Sequence, residues 1–169
     1  MRRVGAAVVL MALAGCATKY QNGSGSGGGF TESQLDKNLF RVSVNGNQYT
    51  SAERARELAL LRSADLTLQL GFSYFVFVES RSREEEEWYT SPVETVSKTS
   101  RKANGELVTS TITYGGNTSV SRRPTRVNTV MAYTKKPDVT DVVYNARSLC
   151  ESLGRKYEAT CGTLPAFAK

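Results

Sequence analysis

The sequence predicts an α+β fold: a mostly antiparallel sheet of about five strands with two helices packed on one face, in the order β-α-β-β-β-β-α. Two segments, after Thr50 and after Pro137, carry apolar residues at helical spacing. The chain around them is divided into β-branched and aromatic runs of strand length, and Asn104-Gly105 is a hairpin turn between two of these.

Leu39 to Asn45 alternates Phe40, Val42 and Val44 against Arg41 and Ser43, the pattern of a half-buried strand, and Asn45-Gly46-Asn47 turns the chain. Thr50 and Glu53 form a T-x-x-E capping box that opens a helix ending near Gly71, a natural C′ residue. Leucine and alanine cover more than half of that helix's circumference, so it is expected to be largely buried across a sheet. Arg62 and Asp65, three apart, are expected to pair at its edge as a structural ion pair. Phe72 to Val78 is a continuous apolar run and reads as a central strand. SRSREEEEW then reads as a charged loop, followed by strands over Trp88–Lys98, Glu106–Tyr114 and Arg126–Lys135, with GGNTSVSRRP as a longer loop before the last. Thr140 to Tyr157 is the second amphipathic helix. Frequent Thr and Ser in the strands imply that one sheet face is at least partly wet.

Ahead of this domain, Met1-Arg2-Arg3 is a short positive region, Val4 to Ala12 is an apolar run of nine, and Leu13-Ala14-Gly15-Cys16 follows at once. Such a run is too short to span a hydrocarbon core of about 30 Å and reads as a removable leader. The tetrad resembles the lipobox of bacterial lipoproteins at all four positions. That resemblance implies cleavage before Cys16, a diacylglyceryl thioether on its sulfur and acylation of the new amine. Ala17, in place of the Asp that retains lipoproteins in the inner membrane of enterobacteria, points to the outer membrane with the domain in the periplasm. The expected organisation is a signal peptide over 1–15, a lipidated Cys16 with a flexible Gly/Ser tether over 16–29, and a single domain over 30–169. A Gly/Ser tether of this length has an r.m.s. span of roughly 20 Å.

An oxidising compartment bears on the other two cysteines. Once Cys16 is lipidated, Cys150 and Cys161 remain as an even pair, which favours a disulfide over two free buried thiols. The closed loop is expected to contribute about 3 kcal/mol.

Phe40-Arg41-Val42, Gly46-Asn47, Thr50, Leu60 to Leu68 and Gly71 to Phe75, with Asp138-Val139, Asp141 and Ala146-Arg147, together resemble a family of small proteobacterial envelope lipoproteins typified by Caulobacter members. The resemblance covers most of Phe40 to Leu153 and implies this architecture. It carries over no catalytic residue.

The chemistry is narrowed mainly by what is missing. The chain has no histidine, which removes Ser-His-Asp and Cys-His catalysis and His-ligated metal sites. Cys150 and Cys161 are too far apart for a C-x-x-C redox centre, and no phosphate-cradling glycine motif occurs. A Ser–Lys dyad stays open, because its members need not be neighbours. Glu84 to Glu87 lacks the spacing of a calcium loop and reads as a solvated cluster flanked by Arg81 and Arg83. Arg101, Lys102, Arg122, Arg123 and Arg126 lie in or beside expected turns, as solvated charges or as a basic patch for cell-wall phosphates. The net charge of +6 becomes 20 − 16 = +4 without Arg2 and Arg3, too mild for a nucleic-acid footprint. No catalytic, metal or cofactor residue is assigned beyond the lipid on Cys16. The expected role is a non-enzymatic binding or structural module, held to the membrane by its lipid and facing another envelope protein or peptidoglycan. A periplasmic hydrolase or small-ligand carrier with a polar pocket between helix and sheet is the alternative.

Overall fold

The computed structural model describes residues 16–23 and 25–167, so the expected signal peptide lies outside the described residues. It has the α+β architecture and the element order expected, with an eight-residue strand added ahead of the first expected one and a two-residue strand added just before the last helix. The elements are β1 (Gly29–Asp36), β2 (Leu39–Asn45), α1 (Ala52–Gln69), β3 (Tyr74–Thr90), β4 (Glu94–Arg101), β5 (Leu107–Tyr114), β6 (Thr118–Tyr133), β7 (Tyr144–Asn145) and α2 (Ala146–Lys156). Five strands form one sheet in the order β1-β2-β6-β3-β7, and β4 and β5 form a second, two-stranded sheet.

The domain expected as one body over 30–169 divides into two compact units: Glu86–Arg122, and the remainder of the chain on either side of it. In the larger unit, β2 pairs antiparallel with β1 on one side and with β6 on the other, from Leu39↔Met131 to Asn45↔Thr125. The alternation read from the sequence holds, since Phe40, Val42 and Val44 are fully buried while Arg41 is exposed. Phe75, Val130 and Ala132 from β3 and β6 join them, and α1 covers this layer with Leu58, Leu66, Ala55, Ala59 and Ala64.

α1 is as buried as its composition implies, and even its Ser63 and Thr67 are inside. Their hydroxyls are satisfied within the helix, Ser63 Oγ donating to Ala59 O at 2.7 Å and Thr67 Oγ1 to Ser63 O at 2.7 Å. The helix ends in a Schellman motif: Gly71 sits at φ +84°, Phe72 N–H donates to Thr67 O and Gly71 N–H to Leu68 O. Its start differs from the expected capping box. Ser51 is the N-cap and accepts from Arg54 N–H at 3.1 Å, because the Thr50 hydroxyl is engaged elsewhere. α2 is shorter than the Thr140–Tyr157 expected. Tyr144–Asn145 pairs with Tyr74–Phe75 as a strand, and Asn145 then caps the helix.

The expected charged loop after Val78 is strand: β3 runs unbroken through Glu84–Glu87, and Thr118–Arg123 of the expected GGNTSVSRRP loop belongs to β6. By its charge and serine content this stretch reads as loop. Cross-strand partners make it a solvated ribbon instead, with Arg126 donating to Ser80 and Ser82. Cys150 and Cys161 form a disulfide with Cα atoms 6.1 Å apart. It joins α2 to the final segment.

Candidate functional site

Three places hold the groups that could carry function: the segment behind Cys16, a buried ionic cluster, and the smaller unit.

The chain after Cys16 is not the leash that its Gly/Ser content predicts. Thr18 is 1% exposed. Its N–H donates to Thr50 Oγ1 at 2.9 Å, its hydroxyl accepts from Asn47 N–H at 3.0 Å, and its carbonyl accepts from Arg54 Nε at 2.9 Å. Asn47 Nδ2 donates to the Cys16 carbonyl at 2.7 Å. Farther along, Phe30 N–H donates to Gln21 O and Gly23 N–H to Phe30 O, so this segment lies beside β1, with Tyr20 packed 4.9 Å from the Phe30 ring. Glycine here permits close approach. At Gly28 (φ +74°) a Cβ would sit 2.4 Å from both Asn45 O and Thr18 Oγ1. Composition alone reads as coil, whereas Thr18, Tyr20 and Gln21 each have a specific partner. Cys16 is itself exposed and outside the disulfide. Two residues reach at most about 7 Å, so any group on its sulfur is held close to the turn at Asn47.

Arg62 and Asp65 pair as expected but in the interior, not at an edge. Arg62 is 0% exposed; its Nε meets Glu32 Oε1 at 2.6 Å and its Nη1 meets Asp65 Oδ2 at 2.6 Å. Nη2 donates to Pro165 O at 2.8 Å, Nη1 also reaches Leu164 O at 3.3 Å, and the guanidinium lies 4.5 Å over the Phe30 ring. Tyr20 OH donates to Asp65 at 2.5 Å, Gly162 N–H also donates to Asp65, and Phe167 N–H donates to Glu32. Burial, together with the adjacent Asp65 carboxylate, pushes the Tyr20 hydroxyl far above its ordinary range. Burial weighs against the charge on Arg62, but the hydrogen bond to Glu32 and the neighbouring Tyr20 more than offset it and raise its pKa. The cluster joins four stretches of chain — the segment behind Cys16, β1, α1 and the C-terminal segment — with its polar atoms turned on one another. Such a closed arrangement orients the fold rather than a substrate. A lesser site at the surface has the same character: Glu57 accepts from Lys156 Nζ at 2.6 Å and from Tyr157 OH.

Among the depressions of this unit, one of about 530 Å³ lies beside the start of α2 and is lined by Lys135, Lys136, Arg147 and Glu151. Core side chains pack between α1 and the sheet, and at the edge of that layer a depression of about 270 Å³ is lined by Ala52 and Ala55 of α1 with Ser82, Arg83 and Glu84 of β3 and Pro124 and Thr125 of β6.

The Glu84–Glu87 carboxylates stand exposed along β3, and Glu86 pairs with Arg122 Nε at 2.9 Å. No group of three or more metal-ligating side chains occurs among the described residues. The five basic residues of the expected patch are divided between the units: Arg101, Lys102 and Arg122 in one, Arg123 and Arg126 in the other. Lys102 pairs with Glu106 at 3.5 Å, and Arg126 is held by Ser80, Ser82 and Asn128.

The smaller unit was missed from sequence as a separate body. β4 and β5 pair from Glu94↔Tyr114 to Arg101↔Leu107, closed by a three-residue loop in which Gly105 sits at φ +86°. One face carries paired hydroxyls: Thr95 with Thr113 at 3.5 Å, Ser97 with Thr111 at 2.9 Å and Thr99 with Thr109 at 2.8 Å. The other carries Val96, Ile112 and Tyr114, each more than half exposed. Two strands alone are marginal in water, so a ribbon of this kind calls for cover. The signal in the sequence was the run Leu107–Tyr114, which has no charge, glycine or proline and is therefore uncommitted to either solvent or core.

No protein-family model, no curated protein and no solved structure matches the chain.

Proposed function

We propose that the protein is a lipid-anchored bacterial envelope lipoprotein that works as a non-enzymatic binding module. Diacylglycerol on Cys16 holds its larger unit against the periplasmic face of the outer membrane. The smaller unit presents the binding surface. The observation that carries this reading is the join between Leu13-Ala14-Gly15-Cys16 and an exposed Cys16 whose carbonyl is fixed by Asn47, two residues from the buried Thr18. A cysteine so placed is accessible to modifying enzymes yet leaves almost no slack. The anchored domain therefore sits at the headgroups in a restricted set of orientations, and does not tumble on a leash.

A binding role is favoured over a catalytic one by the closure of the Arg62 cluster, whose ionised groups are spent on one another. The exposed apolar side chains of β4 and β5 supply the kind of surface that partners cover.

Fractionation of cells expressing the full chain tests the anchor. The protein is expected in the outer membrane and resistant to alkaline carbonate, and Cys16→Ser is expected to release it. A Cys16→Ser protein that stays membrane-bound and is cut at the same bond refutes the anchor. In-cell crosslinking followed by mass spectrometry tests the binding module: capture of one dominant protein species supports it, and none refutes it.

A further inference from the structure

We propose that the open edge of β5 pairs antiparallel with β5 of a second copy of this chain, forming a closed dimer through a four-stranded ribbon. This inference rests on the binding role of the smaller unit but not on the lipid.

The backbone settles which groups are available. Lys102 N–H donates to Glu106 O at 2.8 Å, which makes these two a hydrogen-bonded pair. Stepping by two along the register, Val108, Ser110, Ile112 and Tyr114 turn their backbone groups toward β4. Leu107, Thr109, Thr111 and Thr113 then present N–H and C=O at the opposite edge, where no strand pairs with β5 among the described residues. An eight-residue uncharged strand, five of whose residues are β-branched and four of whose residues present unpaired backbone groups at one edge, is a template for strand addition.

The sequence of that edge fits itself. Val108-Thr109-Ser110-Thr111-Ile112 is nearly palindromic about Ser110. With a two-fold axis at Ser110, Thr109 faces the other copy's Thr111, Leu107 faces Thr113, and Val108 faces Ile112. This alignment makes four hydrogen-bonded pairs, roughly eight N–H···O bonds at two per pair. A shift of two residues in either direction loses one of the four pairs. A shift of one is excluded, because it would put the apolar face of one copy beside the hydroxyl face of the other. In the favoured register Val96, Ile112 and Tyr114 of both copies fall on one face.

Charge points the same way. Glu86–Arg122 contains four acidic and four basic residues, 4 − 4 = 0, in a chain of net charge +6. Two copies therefore meet through a neutral unit without long-range repulsion, and β5 places no like charges opposite each other. The β4 edge is guarded instead. It carries Glu94, Lys98 and Arg101 and follows Pro92, which lacks an N–H, so pairing stops at two copies and does not run on into a fibre. One strand pair is small beside the roughly 1,600 Å² of a standard interface, so the dimer is expected to grow with local concentration.

Ser110→Cys in the full chain tests the pairing. Directly opposed, non-hydrogen-bonded residues have Cα atoms about 4.5 Å apart, within disulfide reach. Oxidising growth followed by non-reducing electrophoresis should convert most of Ser110→Cys to a species of twice the mass. Ser97→Cys, on the β4 edge, should stay monomeric. Thr111→Pro in the Ser110→Cys background removes an edge N–H without touching the β4 pairing, and should reduce the dimer at least tenfold. The pair Thr109→Lys and Thr111→Lys, which keeps the backbone donors but opposes cations, should do the same. Formation of the Cys150–Cys161 bond reports that each variant is folded. A Ser110→Cys protein that remains monomeric, or a dimer indifferent to both blocking changes, overturns the proposal. Capture of a different protein at Ser110→Cys overturns self-pairing while leaving the binding role intact.

Discussion

Replacing Arg62 by methionine keeps most of the side-chain stem but removes the guanidinium at the centre of the buried cluster. Arg62 is 0% exposed, and the side chains of its partners Glu32 and Asp65 are 2% and 0% exposed. The variant loses the two ion pairs together with the bonds to Leu164 O and Pro165 O. It also leaves two carboxylates in the interior. Each keeps some donors: Phe167 N–H for Glu32, and Tyr20, Gln69 and Gly162 for Asp65. Breaking one side of a buried pair costs about 3–5 kcal/mol, a large part of the 5–15 kcal/mol that holds a typical domain together. A loss of about 4 kcal/mol is therefore expected for Arg62→Met. Urea denaturation of the full chain measures it as a lower midpoint at unchanged slope. The loss should persist in 1 M salt, where the Debye length is about 3 Å, because the groups are out of reach of counterions. Adding Glu32→Gln and Asp65→Asn should return much of it. A loss below about 1 kcal/mol, or one that salt abolishes, would mean that the pair behaves as a surface pair and that the cluster does not join the four stretches of chain.

Gly28→Ala would drive a methyl group into Asn45 O and Thr18 Oγ1, so faster amide exchange at Thr18 and Phe30 is expected, with the centre of α1 unchanged. Cys150→Ser with Cys161→Ser should cost about 3 kcal/mol, read by thermal melting, and should expose the segment after Cys161 to proteolysis before the rest. Hydrogen bonds from Lys156 and Tyr157 hold the Glu57 carboxyl below its ordinary value of 4.5, so its stabilisation is present above that pH and lost as pH falls through the depressed value. Glu57→Gln should accordingly flatten the acid limb of the stability profile. Burial raises Tyr20 and Tyr157 above 10.0, so their contribution is complete below pH 10 and declines as pH rises beyond it; Tyr157→Phe should blunt the alkaline loss.

Where a segment has one strong physical demand, the sequence was legible. The alternation at Phe40, Val42 and Val44 identified a strand and its inner face, and Gly71 identified the end of α1. The apolar girth of α1 predicted its burial. Cys150 and Cys161 pair, as their even number once Cys16 is set aside favours. The misreadings share a cause: residues whose polar character suits two environments. Glycine and serine between Ala17 and Gly29 read as coil until Thr18, Tyr20 and Gln21 are given partners 7 to 45 residues away in sequence. Ser80 to Glu87 reads as loop until β6 supplies the opposing strand. Thr50 resembles an N-cap in isolation, yet its hydroxyl donates to Thr18 Oγ1 at 2.8 Å and the cap passes to Ser51. The smaller unit was hardest to foresee, because nothing local says whether a β-branched strand will be covered by its own chain or by another.

The lipid anchor at Cys16 is the claim on which the envelope location depends, and mass spectrometry of the membrane-extracted protein after trypsin tests it directly. Cleavage after Lys19 should release Cys16-Ala17-Thr18-Lys19 carrying a diacylglyceryl thioether, with no peptide containing Gly15. A peptide running unmodified from Val4 through Cys16 to Lys19 would contradict the anchor and the membrane seat inferred from it.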